Sequence, residues 1–156
     1  MTIAKKTIMV LDTECCDLAG SVYDVGYTIT NKKGDIVSTF NALVLEVFTD
    51  ASKMMGAFYA KKLFSHYAPM LDRGEISLMP WNDIVAQMRY DIALYNVNVM
   101  SAYNLGFDRR VMRGTHNLLG DGQPICPAMD QLDIWQFACE TKLSSRTYKD
   151  LAKAQG

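Results

Sequence analysis

At 156 residues the chain is long enough for one domain with one buried core, and its apolar content of 49% is ordinary for a folded domain. A formal net charge of -1 offers no footprint for tight, sequence-independent nucleic-acid binding, although a nuclease that touches a few nucleotides and releases them remains open. No apolar run approaches the length of a membrane span. The lysines and apolar residues at the amino end are too short a stretch, and too soon followed by acids, for a signal peptide, so a cytoplasmic protein with no membrane partner is expected.

In chain order, residues 7 to 15 read as a buried strand. Residues 21 to 48 read as two further strands rich in β-formers, joined by the turn "NKKG", so these two are expected to pair antiparallel. From residue 51 the apolar period changes. Met55, Phe58, Tyr59, Leu63, Tyr67 and Met70 recur three and four residues apart, which predicts a helix over 51–72. A second helix follows Pro80, with a stripe of Trp81, Ile84, Val85, Met88, Ile92 and Tyr95. "VNVMSAY" is a short buried strand, "FDRRVMRGTHNLL" opens another helix, and "GDGQPICP" is a connection. "MDQLDIWQFACETK" reads as helix or strand-then-helix, and a last helix begins near Ser144 or Ser145. Strands, helices, a strand and helices again give an α/β domain: a mixed sheet with an antiparallel start, flanked by helices. The four cysteines, Cys15, Cys16, Cys126 and Cys139, form no C-x-x-C pair and are expected to be reduced thiols, Cys139 in the core.

Chemistry concentrates at two strand ends. In "VLDTECCD", Asp12 and Glu14 lie two apart, so an extended backbone points both carboxylates to one side. Repulsion between them gives a structural strand nothing, whereas a hard divalent cation turns it into chelation. "SAYNLGFDRR" places Asp108 at the start of the helix after the later strand. If the two strands are neighbours, Asp12, Glu14 and Asp108 meet at one end of the sheet. A D-x-E pair alone is most often surface charge; the pairing of two such strand ends is what favours a metal-dependent site.

At these residues the sequence resembles the DEDD (DnaQ-like) 3′-to-5′ exonuclease superfamily, with an RNase H-like fold, and in its glycine and length details a phage-type member. "IMVLDTECC" resembles the first motif, "YNLGFDRRVM" the second, N-x-x-F-D, and "YDVG", "LDIWQFAC" and "YKDLAKAQG" resemble intervening and following segments. The resemblance covers nearly the whole chain except about 50 to 80. It implies a two-metal exonuclease using Mg²⁺ or Mn²⁺ on the 3′ end of single-stranded DNA or RNA, releasing nucleoside monophosphates. Asp12 would bridge both ions, Glu14 would bind one, and Asp108 would act on the second through water. Thr13, Asn104 and Phe107 would be substrate contacts, with a cap or turn role open for Asn104 and a core role for Phe107. In a host cell such a phage protein would act in the cytoplasm.

The family's third motif, H-x-x-x-x-D or Y-x-x-x-D, follows the L-x-x-L-A helix and has no counterpart before Gly156. The expectation is a single exonuclease-like domain over 1–156 lacking the helix that carries it. Asp133 and Asp150 are possible substitutes, although Asp133 also suits a helix cap. His66 and His116 lie too early; His66 also lacks the following aspartate, whereas Asp121 follows His116 at the motif's spacing but ahead of the L-x-x-L-A segment. The alternative is an impaired exonuclease-fold module that binds nucleic-acid ends or a protein partner. The lysines at 61–62 and arginines at 109–110 are phosphate contacts or solvated charges.

Overall fold

The period-two apolar pattern near the amino end becomes the centre of a sheet. In the computed structural model, which describes residues 6–57 and 60–140 (backbone alone at 60–64 and 140), β1 is Thr7–Cys15. It pairs antiparallel with β2 (Val22–Asn31), and β2 pairs antiparallel with β3 (Ile36–Val44). The turn between them closes as its residues dictate. The Asn31 side chain accepts from the backbone of Lys33 and Asp35, and Gly34 takes a φ of 87°. On the other side of β1 runs β5 (Val97–Ala102), parallel to it, and then β6 (Asp130–Asp133), parallel to β5. With β4 (Ser77–Met79) parallel to β3 at the far edge, the order is β4-β3-β2-β1-β5-β6. This is the expected mixed sheet with an antiparallel start. β4 has no signature in the sequence, because three residues are too few to show an alternation.

One face of the sheet is closed. Met9, Leu11, Val25, Tyr27, Ile29, Ala42 and Val44 are buried there. They share one core with α4 (Trp81–Leu94) and α5 (Leu105–Leu119). The stripe expected on α4 is buried from Trp81 through Ile92, while Tyr95, at the helix end, is only half-buried. Apolar burial at these positions supplies the main stabilisation, about 1.5–3 kcal/mol for each large side chain.

Two expectations are corrected. The single helix over 51–72 is two pieces, α2 (Ala51–Met55) and α3 (Ala60–Asp72), and the end of the stretch read as strand is a short helix, α1 (Leu45–Phe48). Asp50 starts α2 by accepting from the backbone of Ser52 and Lys53, and Gly56 ends it, so capping interrupts the apparent period. Met55 consequently faces solvent. Phe58, Tyr59 and the Leu63 side chain lie outside the described residues, as do Ser144, Ser145 and the final helix. "MDQLDIWQFACETK" resolves as strand and then helix, β6 and α6 (Ile134–Glu140). Cys139, expected in the core, is exposed on α6, which follows the edge strand β6. All four cysteines are unpaired. Among the described residues no helix is long and apolar enough to cross a membrane.

Candidate active site

Alternation along β1 sends Leu11 and Thr13 into the covered face and leaves Asp12 and Glu14 on the other. Asp12 stands opposite Gly26 on β2, and Glu14 opposite Asp24. A third carboxylate is thereby added to the same face by the antiparallel register. Asp24 accepts a short hydrogen bond from the Tyr67 hydroxyl on α3. Tyr67 is itself wedged edge-on against Tyr23 at 6.4 Å and Phe48 at 5.8 Å. Helix α3 is thus pinned across the strand ends, and between them lies a cavity of about 280 Å³ lined by Asp12, Glu14, Asp24, Asn41, His66 and Tyr67, among others.

Asp108 arrives by a different route. Because β5 runs parallel to β1, the two strands end side by side, and α5 starts there. The Asn104 carbonyl accepts from the backbone of Phe107 and Asp108 and so opens the helix. Asp108, in the first turn, then turns its Oδ1 onto Thr13, accepting from the backbone nitrogen at 3.1 Å and from the hydroxyl at 2.8 Å. The residue that Asp108 grips is the one between Asp12 and Glu14.

The electrostatics agree with this crowding. Burial pushes the Asp108 carboxyl above the ordinary carboxylate range; the Thr13 hydroxyl draws it down, and the charge of Asp12 pushes it up again. Burial likewise raises Asp24, against the hydrogen bond from Tyr67 and together with the charge of Asp12. Among the described residues no ion pair joins Asp12, Asp24 or Asp108 to a cation.

The donors at this end are carboxylate oxygens, which suit Mg²⁺ or Mn²⁺ in kind. As arranged, no group of three or more His, Cys, Asp or Glu among the described residues closes around one point in the way a coordination shell does. The carboxylates are neighbours by fold, and Asp108 is committed through one oxygen to Thr13. The fit is therefore one of ligand chemistry alone.

The remaining candidates separate clearly. Thr13 is buried and holds Asp108, so its side chain faces away from the open side. Asn104 is exposed at the start of α5 and makes no side-chain cap bond. Phe107 is half-buried against the core, and the Arg110 guanidinium lies 5.4 Å above its ring. Asp133 both ends a strand and caps a helix. Its Oδ1 accepts from the Gln136 nitrogen at 3.0 Å and its Oδ2 from the Gly106 nitrogen at 3.3 Å, which occupies both oxygens. Asp150 and Tyr148 lie outside the described residues, as do the side chains at 61–62. His116 is structural: Nδ1 accepts from the Trp81 indole at 3.0 Å, and Nε2 lies 2.6 Å from the Gln123 carbonyl. His66 is different, for it lines the cavity with Asp12 and Glu14. Sequence reasoning set His66 aside because its place in the chain matches no motif. Only the fold of α3 over the strand ends brings it here; Asp24 arrives through the register of β2 on β1, and its one sequence signal is its position in "YDVG".

No sequence family and no curated protein matches the chain. Among solved structures, the chain is similar to exonuclease X in complex with 5′ overhanging duplex DNA, with a TM-score of 0.48 and 17% identity. That alignment covers 88% of this chain and 65% of the other, so the chain spans less than two-thirds of that protein's length.

Proposed function

We propose that the protein is a metal-dependent 3′-to-5′ exonuclease acting on single-stranded DNA or RNA ends and releasing nucleoside monophosphates. The observation that carries the reading is the grip of Asp108 on Thr13. It joins two strand ends separated by 95 residues and gathers Asp12, Glu14 and Asp108 at one end of the sheet. Asp12, Glu14 and Asp108 would hold two Mg²⁺ or Mn²⁺ ions. The chemistry such ions supply when bound is activation of water and neutralisation of the leaving oxygen in phosphodiester hydrolysis. The chain's own residues do the placing. Thr13 fixes Asp108, the β1 pleat fixes Asp12 and Glu14 on one face, and the Tyr67–Asp24 bond holds α3 across the cavity that would receive the strand's end.

A second reading, a binding module with weak hydrolysis, draws on Asp133. Both of its oxygens accept from backbone amides, so this carboxylate is already engaged.

The test is a 5′-labelled single strand incubated with Mn²⁺. A ladder shortening from the 3′ end, with monophosphates released, is expected, and Asp12→Ala should abolish it. Independently of turnover, Mn²⁺ should raise the melting temperature of the wild type, because a ligand bound only to the folded state stabilises it, and should not raise that of Asp12→Ala. A wild-type melting curve indifferent to Mn²⁺ and Mg²⁺ would remove the metal site from the reading.

A further inference from the structure

We propose that an aromatic pair, Tyr103 and Trp135, together with the arginines of α5, forms a landing surface for single-stranded nucleic acid beside the carboxylates; this rests on the nuclease reading for its orientation. The two rings are 55% and 45% exposed and lie 5.7 Å apart, centre to centre, at 58°. Their backbones are locked together, since the Trp135 nitrogen donates to the Tyr103 carbonyl at 2.9 Å across the ends of β5 and β6. About half of each side chain is left open to solvent. Their position is informative: Tyr103 directly precedes Asn104, and Asp108 follows one helical turn later.

The charge beside them is unusual for this molecule. Of the five arginines described, Arg73 and Arg89 are held in forks by Glu75 and Asp121. No ion pair among the described residues involves Arg109, Arg110 or Arg113, although all three are exposed on one helix. Arg109 donates to the neutral amide of Gln131, and Arg110 lies over Phe107. The only acid in α5 is Asp108, which is buried. In a chain of net charge -1, this helix is a local concentration of unneutralised guanidinium.

Exposed aromatic faces next to guanidinium groups match a single strand. Its unpaired bases have open faces to stack, and its phosphates accept from arginine. A duplex hides those faces, and an acidic protein is the alternative occupant that the competition below separates.

The experiment is fluorescence anisotropy of labelled dT and U 12-mers with the whole chain in EDTA, across a salt series. Trp135→Ala should weaken binding about 10-fold, and Trp135→Phe should restore most of it. Joint Arg109→Gln, Arg110→Gln and Arg113→Gln should lower the slope of log affinity against log salt by about 2. A duplex of the same length should bind less tightly, and circular-dichroism melts check that each variant folds. Absence of binding by the wild type, or an affinity and slope unmoved by these variants, overturns the proposal. So does equal competition by polyglutamate with no effect of Trp135→Ala, which would assign the surface to an acidic protein. Hydrolysis is read separately. Variants that lose binding in a chain with no Mn²⁺-dependent cleavage would sink the nuclease reading and leave this surface standing. Cleavage that needs Asp12, with binding indifferent to Trp135, would do the reverse.

Discussion

The two ends of α5 treat their polar groups in opposite ways. At the carboxyl end Arg89 holds Asp121 in a fork and donates further to the carbonyls of Gln123 and Pro124. There His116 bridges the Trp81 indole and the Gln123 carbonyl. Each charge meets its opposite and each buried donor an acceptor. At the amino end the charge of Asp12 acts on both Asp108 and Asp24, which take hydroxyl donors from Thr13 and Tyr67, and no ion pair among the described residues joins any of the three to a cation. The first arrangement clamps a loop to the domain. The second leaves carboxylates raised by burial and by the charge of Asp12.

The sharpest way to break this comparison is at the clamp. Trp81 is fully buried, so Trp81→Ala is expected to cost about 3–5 kcal/mol in urea unfolding. A loss well under 1 kcal/mol would mean that the carboxyl end of α5 is not the structural end.

Next in size is Thr13→Val. It keeps the volume but strips the hydroxyl from a buried carboxylate, at a cost of about 1–3 kcal/mol. It should also push the Asp108 carboxyl higher still, read by carbon-detected carboxylate titration. An unchanged Asp108 titration would show that Thr13 does not hold it.

The pH dependence should run in opposite directions at the two ends. Asp108 and Asp24 are raised in the folded state by burial, with Asp12 adding to it, so folding holds their protons more tightly than unfolding does. Their contribution to stability is therefore full below the unfolded carboxylate range of about 4, falls as pH rises through their raised values, and returns on acidification. Asp121 is held low, chiefly by its hydrogen bond from Arg89. Its contribution is present above the ordinary carboxylate range and is lost as pH falls below it. Asp12→Asn should lower Asp108 and Asp24 somewhat, since burial remains, and narrow the first window while leaving the second untouched. If both windows survive Asp12→Asn unchanged, the carboxylates at the amino end do not sense one another.

The smallest effect sharpens the picture of α3. Tyr67→Phe removes the hydroxyl from Asp24 but keeps the ring against Tyr23 and Phe48. A modest loss of about 1 kcal/mol is expected, with a further rise of the Asp24 carboxyl. A fall of that carboxyl would contradict the bond.

Much of this was legible before any coordinates. The extent of β1, the turn at Gly34 and the buried stripe of α4 follow from period and turn chemistry. That Asp12 and Glu14 share a face follows from the pleat. Errors fell where local signals compete. The capping of Asp50 and the stop at Gly56 broke a helix whose apolar period looked continuous, and an apolar neighbourhood in the sequence did not keep Cys139 inside.

What the sequence determined by itself is therefore what a backbone can settle over a few residues: strand or helix, which face, where a turn closes. The tertiary structure alone decided that Asp108 reaches Thr13, that Asp24 and His66 join Asp12 and Glu14 around one cavity, that Asp133 spends its oxygens on two amides, and that His116 serves Trp81. Those meetings depend on the parallel pairing of β1 with β5, the register of β2 on β1 and the placement of α3. Each is selected by burying apolar surface across the whole sheet, a sum over distant residues that no local spacing records.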